Sequence, residues 1–266
     1  MDPFVIGLPI YFAAHFGLTP LITFKGNKIR AQVDHVEIGP EEFPTQVAVY
    51  FEAQATALEG IGFYRVAYFK QSESVSGNAA RVYNYCILML NRETGDGAMI
   101  SAIMKVVSGV ESVATKYVEF STRYADGKMF DTLNSSSLGA FAQVASEIKT
   151  RVPSVTDPRQ LYALHRFVIA RANVVGRPVT YDQSSAADHL QAERLGSLTA
   201  QVRCGRYYLN KAGDTYRPTL KGAYLMTWGL MWPFSIFRRR AMDRRAASTL
   251  REFYAVYPPA TSAVPA

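Results

Sequence analysis

The chain has 266 residues, enough for one large domain or two small ones with a sizeable core. Hydrophobic residues make up 48% of it and charged residues 19%, below the roughly 25% that is usual for soluble domains. We therefore expect part of the surface to face a partner or lipid. The two cysteines, Cys86 and Cys204, exclude a disulfide scaffold, and no CxxC motif is present.

The N-terminal segment, residues 1–30, contains an apolar stretch from Phe4 to Phe24. Its 21 positions hold no Asp, Glu, Lys or Arg, about the length needed to cross a bilayer. Pro9, Pro20 and His15 disfavour a regular span. The sequence leaves two interpretations, a transmembrane helix and a hydrophobic arm docked on the body. The basic residues that follow predict a cytoplasmic body: Lys25, Lys28 and Arg30.

Residues 31–156 predict an α+β domain. A helix is predicted over Glu41–Gly60, and its buried face is expected to consist of Val47, Phe51, Ala55 and Leu58. Runs of strand length follow at 63–70, 82–90, 98–107, 117–124 and 128–133. The short turns between these runs predict an antiparallel β-meander of about five strands flanked by helices.

The patterns of these runs predict their environments. The run 82–90 is apolar on both faces, which is typical of a central strand, and Cys86 within it is interpreted as a small buried hydrophobe. The run 117–124 alternates, which predicts one buried face and one wet face. Residues 134–156 are expected to be mostly loop.

Residues 157–257 predict a helical and hairpin unit. Asp157 is expected to cap a helix, and Ser185 a second helix that runs to about Val202. A hairpin is predicted within 205–225, and the Pro- and Ala-rich tail 258–266 is expected to be disordered. The apolar face predicted for the first helix is Leu161, Leu164, Val168, Ile169 and Ala172.

The basic character of the chain is concentrated near its C-terminus. Residues 203–251 carry eleven Lys/Arg and two Asp/Glu, whereas the whole chain has a net charge of +7, so the remainder is slightly acidic. Such asymmetry is typical of binding to a polyanion, either nucleic acid or an anionic membrane. Within this region, residues 224–237 hold no charge and include both tryptophans, and six arginines follow by residue 251.

A 14-residue apolar segment is too short to span a bilayer but suits the membrane interface. There the rings would lie at headgroup depth, and each basic residue would contribute about 1 kcal/mol of attraction to anionic lipids. The other interpretation is a core helix with packed tryptophans, followed by a solvated arginine run. The predicted membrane-contacting residues are Trp228, Trp232, Phe234, Arg238, Arg239, Arg240, Arg244 and Arg245.

A local resemblance concerns residues 200–225. A helix end, a hairpin and the run Tyr-Arg-Pro-Thr-Leu-Lys-Gly at 216–222 resemble the end of a winged-helix domain. The resemblance implies that Arg203, Arg206 and Lys211 lie near nucleic-acid phosphates, which would position the protein without reading sequence.

A broader resemblance covers most of the chain. The order of a helix, a Gly-Phe strand, a meander and a basic Trp-containing end resembles uncharacterised bacterial α+β membrane-associated proteins without an assigned function. It rests on residues 58–63, 117–127 and 226–228, and it implies no catalytic residue.

Motifs of catalysis and cofactor binding are missing from the sequence. It has no P-loop, no HExxH pair and no Gly-x-Ser-x-Gly elbow, so no catalytic, cofactor or metal residue is predicted. His165 is interpreted as a boundary residue of its helix. Glu119, Asp126 and Asp131 share one hairpin and are interpreted as solvated carboxylates.

Three functional hypotheses follow. The first is a membrane-associated structural or interaction protein on the cytoplasmic face, whose partners are an anionic membrane surface and a further protein. The second is a module that binds an apolar, lipid-like ligand among the aromatic residues of its strands. The third is nucleic-acid binding through the hairpin. The aromatic residues behind the second hypothesis are Phe63, Tyr68, Tyr83, Tyr85 and Phe120.

Overall fold

The computed structural model describes residues 12, 14–33, 35–73 and 80–258. Within these ranges the chain is α+β, as predicted, with six α-helices, a seven-stranded sheet and a three-stranded sheet. The helices are α1 (Thr19–Gly26), α2 (Thr45–Glu59), α3 (Pro158–Arg171), α4 (Ala186–Arg203), α5 (Leu220–Leu230) and α6 (Phe234–Val256).

The strands of the large sheet are β2 (His35–Glu37), β3 (Phe63–Glu73), β4 (Ala80–Asn91), β5 (Gly97–Val107), β6 (Val110–Arg123), β7 (Met129–Leu133) and β8 (Glu147–Arg151). The small sheet contains β1 (Ile29–Arg30), β9 (Tyr207–Leu209) and β10 (Thr215–Pro218). The predicted disordered tail lies outside the described residues, apart from Pro258.

The large sheet has the strand order β2-β3-β4-β5-β6-β7-β8. Strands β3 to β7 are antiparallel neighbours, so the predicted five-stranded meander is confirmed. The prediction of a loop over 134–156 is wrong in part, because β8 pairs parallel to β7 at the edge of the sheet. A parallel neighbour needs a crossover instead of a tight turn, so β8 gives no hairpin signal in the sequence.

Helix α2 confirms its predicted buried face of Val47, Phe51, Ala55 and Leu58. It begins at Thr45, four residues later than predicted, because Pro44 takes an extended conformation at the N-cap. Residues 40–42 form a separate 3₁₀ turn. Helix α3 is capped as predicted, since the Asp157 carboxylate accepts a hydrogen bond from the Arg159 backbone N–H.

The main core lies on one face of the large sheet, under α2, α3 and α6. It joins Phe51 of α2, Phe120 of β6, Leu161 of α3 and Phe253 of α6. Residues before and after position 156 therefore share one core. All five aromatic residues of the ligand-binding hypothesis pack in or against it.

The opposite face of the sheet is covered by α4 and the segment that precedes it. Cys86, Leu88 and Leu90 of β4 pack there with Tyr181 and Ala186. Strand β4 is therefore buried on both faces, as predicted for a central strand, and burial raises the pKa of the Cys86 thiol to about 12.

The prediction of a wet face on β6 is wrong, because α4 covers that face. The side chains of Glu119, Ser121 and Arg123 are half-buried, and the Ser121 hydroxyl donates to Glu193 of α4 at 3.2 Å. The polar residues on this face meet polar partners on the helix. The alternation of polar and apolar residues in β6 therefore reflects a polar interface with a helix. The same alternation would result from a face exposed to solvent, so the sequence alone does not separate the two.

His165 is fully buried, so its interpretation as a boundary residue is wrong. Thr122 Oγ1 donates to the buried Asp96 carboxylate at 2.6 Å and lies 2.8 Å from His165 Nε2. Because the single hydroxyl proton of Thr122 goes to Asp96, His165 Nε2 carries the hydrogen and donates to Thr122. His165 Nδ1 then accepts from the Thr132 hydroxyl at 3.0 Å. Burial lowers the pKa of His165 to about 4 and keeps the ring neutral.

This burial links stability to pH. Because the folded pKa of His165 lies below its unfolded value of about 6.5, the folded state binds fewer protons, and its stability falls as the pH drops from about 6.5 towards 4. We expect the stability advantage of the parent over His165→Gln to shrink by about 1–3 kcal/mol across this window. Urea unfolding of both proteins at pH 7 and pH 4.5 checks this, and a constant difference would contradict it.

Two neighbours on α2 test the position of the core. Phe51 is 1% exposed and Val49 is 76% exposed. Phe51→Ala should lower the free energy of unfolding by about 3–5 kcal/mol, because it leaves a cavity under the helix. Val49→Ala should change it by less than about 0.5 kcal/mol. Equal losses in chemical denaturation would contradict this packing.

Candidate membrane-facing surface

The N-terminal segment and the Trp-containing segment pack against each other. Helix α1 lies along α5, where the hydroxyl oxygens of Thr227 and Thr23 are 3.2 Å apart. The Trp228 indole N–H donates to the Phe16 carbonyl at 2.9 Å. Two stretches about 200 residues apart in the sequence therefore form one surface.

Aromatic rings hold this junction together. The Trp228 ring stacks on Phe234, with 6.3 Å between centroids and 14° between planes. Phe234 meets Phe16 edge-to-face at 6.3 Å, and Tyr224 meets Trp228 edge-to-face at 5.1 Å. The turn before α1, helix α5 and the start of α6 are thus joined through one aromatic cluster.

Much of this junction nonetheless remains exposed. Trp232, Phe237 and Ile22 are the most open, at 63%, 60% and 61% exposure. We call the set the apolar face, and it consists of Phe12, Leu18, Leu21, Ile22, Leu220, Leu225, Trp228, Leu230, Trp232, Phe234, Ile236 and Phe237. Groups of exposed apolar side chains are typical of surfaces that bind proteins or membranes.

Positive charge borders the apolar face. The sequence has no Asp or Glu between residues 12 and 33 or between 220 and 242. Arg240 and Arg244 follow Phe237 at three and seven positions on α6, so they lie on the same side of the helix. The exposed basic side chains of these segments are Lys25, Lys28, Arg30, Lys221, Arg239, Arg240, Arg244 and Arg245.

Arg238 has a different environment from the arginines that follow it. Its guanidinium donates to the carbonyls of Gly229 at 2.9 Å, Gly139 at 2.7 Å and Phe141 at 3.4 Å. Burial and the neighbouring Arg151 lower its pKa. Of the eight predicted membrane-contacting residues, seven are exposed, and Arg238 is the one that ties α6 to the loop before β8.

The predicted hairpin is confirmed as β9 and β10, and it belongs to the same unit as the apolar face. Strand β1 continues from α1 and pairs with β10, with Ile29 opposite Tyr216. At Gly222 of α5, an added Cβ would overlap the Arg206 carbonyl oxygen. The close approach of α5 to the hairpin therefore requires glycine at this position.

The three residues expected near phosphates in the winged-helix resemblance do not share one environment. Arg203 and Lys211 are exposed. Arg206 is half-buried and donates to the Ala142 carbonyl and to the Gln201 side chain.

Among the described residues, no helix combines the length and the apolar character that crossing a membrane demands. Residues 4–11 and 13 of the predicted span lie outside the described ranges, and the described remainder is Phe12, the π-helical turn Ala14–Leu18 and most of α1. Comparisons with protein-family models, with curated proteins and with solved structures found no match.

The interpretation of the hairpin carboxylates as solvated is confirmed for Asp126, which is exposed at the turn, and wrong for the other two. Lys149 of β8 places its ammonium 2.8 Å from Glu119 and 3.2 Å from Asp131. Burial, together with Glu119 and Glu193, raises the pKa of Asp131 to about 7. No pattern in the sequence indicates this cluster, because it depends on β8 and α4.

Substitution of the adjacent residues Arg238 and Arg239 tests the structural role of the first and the exposure of the second. Arg238→Ala should lower the free energy of unfolding by about 1–3 kcal/mol, because it leaves backbone carbonyls without their charged donor. Arg239→Ala removes an exposed charge and should change stability by less than about 0.5 kcal/mol. Matching losses in urea unfolding would contradict the structural assignment of Arg238.

Proposed function

We propose that this chain is a membrane-associated structural or interaction protein that docks on an anionic bilayer through the apolar face. The observation that carries the proposal is the convergence of two separate apolar segments into one exposed surface. The apolar side chains would enter the headgroup region, and the sheet would extend from it as a platform on the cytoplasmic side.

The charges around the apolar face favour lipid as the occupant. Exposed cations border the face, and no acidic residue lies in the segments that build it. Each cation near an anionic leaflet contributes about 1 kcal/mol, so Arg239, Arg240 and Arg244 together supply about 3 kcal/mol. A protein partner for this face would need a matching acidic rim.

The exposed fractions of the aromatic side chains argue against the interpretation of residues 224–237 as part of a core helix. Trp228 has part of its ring packed in the aromatic cluster, but Trp232 and Phe237 are mostly open to solvent. A core segment would bury its largest rings. Rings that are held at one edge and open at the other are typical of an interfacial surface.

Vesicle sedimentation tests the apolar contribution. The full chain should bind vesicles that contain about 30% anionic lipid, and Trp232→Ala/Phe237→Ala should weaken partitioning at least tenfold, since each side chain contributes roughly 1.5–3 kcal/mol on burial. The matched control is Val49→Ala/Val175→Ala, which removes exposed apolar groups elsewhere. Equal partitioning of the two double variants would contradict the proposal.

A charge-matched pair separates lipid binding from nucleic-acid binding. Arg239→Ala/Arg240→Ala should reduce partitioning to anionic vesicles by about tenfold or more. Arg203→Ala/Lys211→Ala removes two exposed cations of the winged-helix resemblance and should leave partitioning nearly unchanged. If the second pair instead lost salt-dependent affinity for DNA, and neither pair affected vesicles, the nucleic-acid hypothesis would replace this one.

A further inference from the structure

A polar cavity lies between the large sheet and α4. Its volume is about 180 Å³, and strands β4 to β8 and helix α4 form its walls. Its size is comparable to that of engineered cavities of about 150 Å³ that admit benzene. Six of its lining side chains can carry charge: Glu119, Asp131, Glu147, Lys149, His189 and Glu193.

The charges on this wall do not balance. Four carboxylates face one lysine, and that lysine is already held by Glu119 and Asp131. His189 Nε2 lies 3.2 Å from Glu193, which also accepts from Ser121. Above pH 7, where Asp131 is ionised as well, the cavity therefore keeps an excess of negative charge, which favours a cation.

One carboxylate oxygen of Asp131, which lines the cavity, is left without a hydrogen-bond donor. The residue is only 4% exposed, and Lys149 donates to one of its carboxylate oxygens, Oδ2. Within the described ranges no donor binds the other oxygen, Oδ1. This oxygen is not fully buried, so it can accept a hydrogen bond from a donor inside the cavity.

The remaining walls are apolar. Leu88, Met99, Met129 and Leu190 line the cavity beside the charged residues. The described residues include no group of three or more His, Cys, Asp or Glu side chains that could hold a metal ion. A ligand that suits both parts of the wall has a cationic donor at one end and a short hydrocarbon body.

We propose that this cavity binds a small organic cation whose primary ammonium donates to Asp131 and Glu193. An ammonium offers three N–H donors and no acceptor, which complements the free carboxylate oxygens. Its hydrocarbon body packs on Leu88, Met99 and Leu190. The proposal rests on the cavity alone and is independent of membrane docking.

The test is a titration of the full chain with n-butylammonium, followed by calorimetry and by saturation-transfer NMR at pH 8. n-Butanol and butyrate serve as matched probes that keep the hydrocarbon body and change the charge. We expect n-butylammonium to bind at least tenfold more tightly than either of them. Affinity for n-butylammonium no higher than for n-butanol would overturn the proposal.

Three variants locate the bound probe. Asp131→Asn and Glu193→Gln should each weaken n-butylammonium binding at least tenfold, whereas Asp126→Asn, on the same hairpin but exposed, should leave it unchanged. Thermal unfolding verifies that each variant folds, and Glu193→Gln decides the outcome if Asp131→Asn is unstable. Equal weakening by Asp126→Asn, or full affinity in a folded Glu193→Gln, would overturn the proposed site.

Discussion

The packing of α1 against α5 is the contact on which the functional account depends. Thr23 of α1 contacts Thr227 of α5, and the Trp228 indole donates a hydrogen bond to the Phe16 carbonyl in the turn that precedes α1. The stacking of Trp228 on Phe234 joins the start of α6 to the same contact. Without this contact, each apolar segment would be a short hydrophobic stretch of the kind that is common on protein surfaces and in protein cores. Together they form one face whose outer rings remain in solvent and whose border is cationic.

The large sheet supports this face and also creates the second site. One side of the sheet is a continuous apolar core under α2, α3 and α6. The other side lies under α4, where apolar packing at Cys86 and Leu88 gives way to the polar contacts of Ser121 and Asp131. A helix laid over charged strand residues cannot pack as closely as one over apolar residues, and the cavity lies at that transition.

The sequence predicts features that depend on local periodicity. The buried stripe of α2, the five strands of the meander, the cap of α3 and the hairpin β9–β10 all follow from spacing or turn residues near in the chain.

Prediction from the sequence fails where distant segments of the chain determine the environment of a residue. Ala172, predicted on the apolar face of α3, lies past its end and is exposed. His165 lies on the buried face of α3, where Thr122 and Thr132 of the sheet form its hydrogen bonds, and Asp131 lies under α4. For the apolar face, the sequence identifies the two apolar segments but does not predict that they pack against each other.

The position of the two tryptophans offers the most direct measurement. Trp228 and Trp232 are the only tryptophans of the chain, and both lie in the apolar face, so their fluorescence reports on it without any label. Vesicles that contain anionic lipid and carry bromine at defined acyl depths would be added to the full chain. If the apolar face docks at the headgroups, the tryptophan emission should shift to the blue, and its quenching should be strongest for the bromines closest to the headgroups. An unshifted and unquenched emission with these vesicles would contradict it.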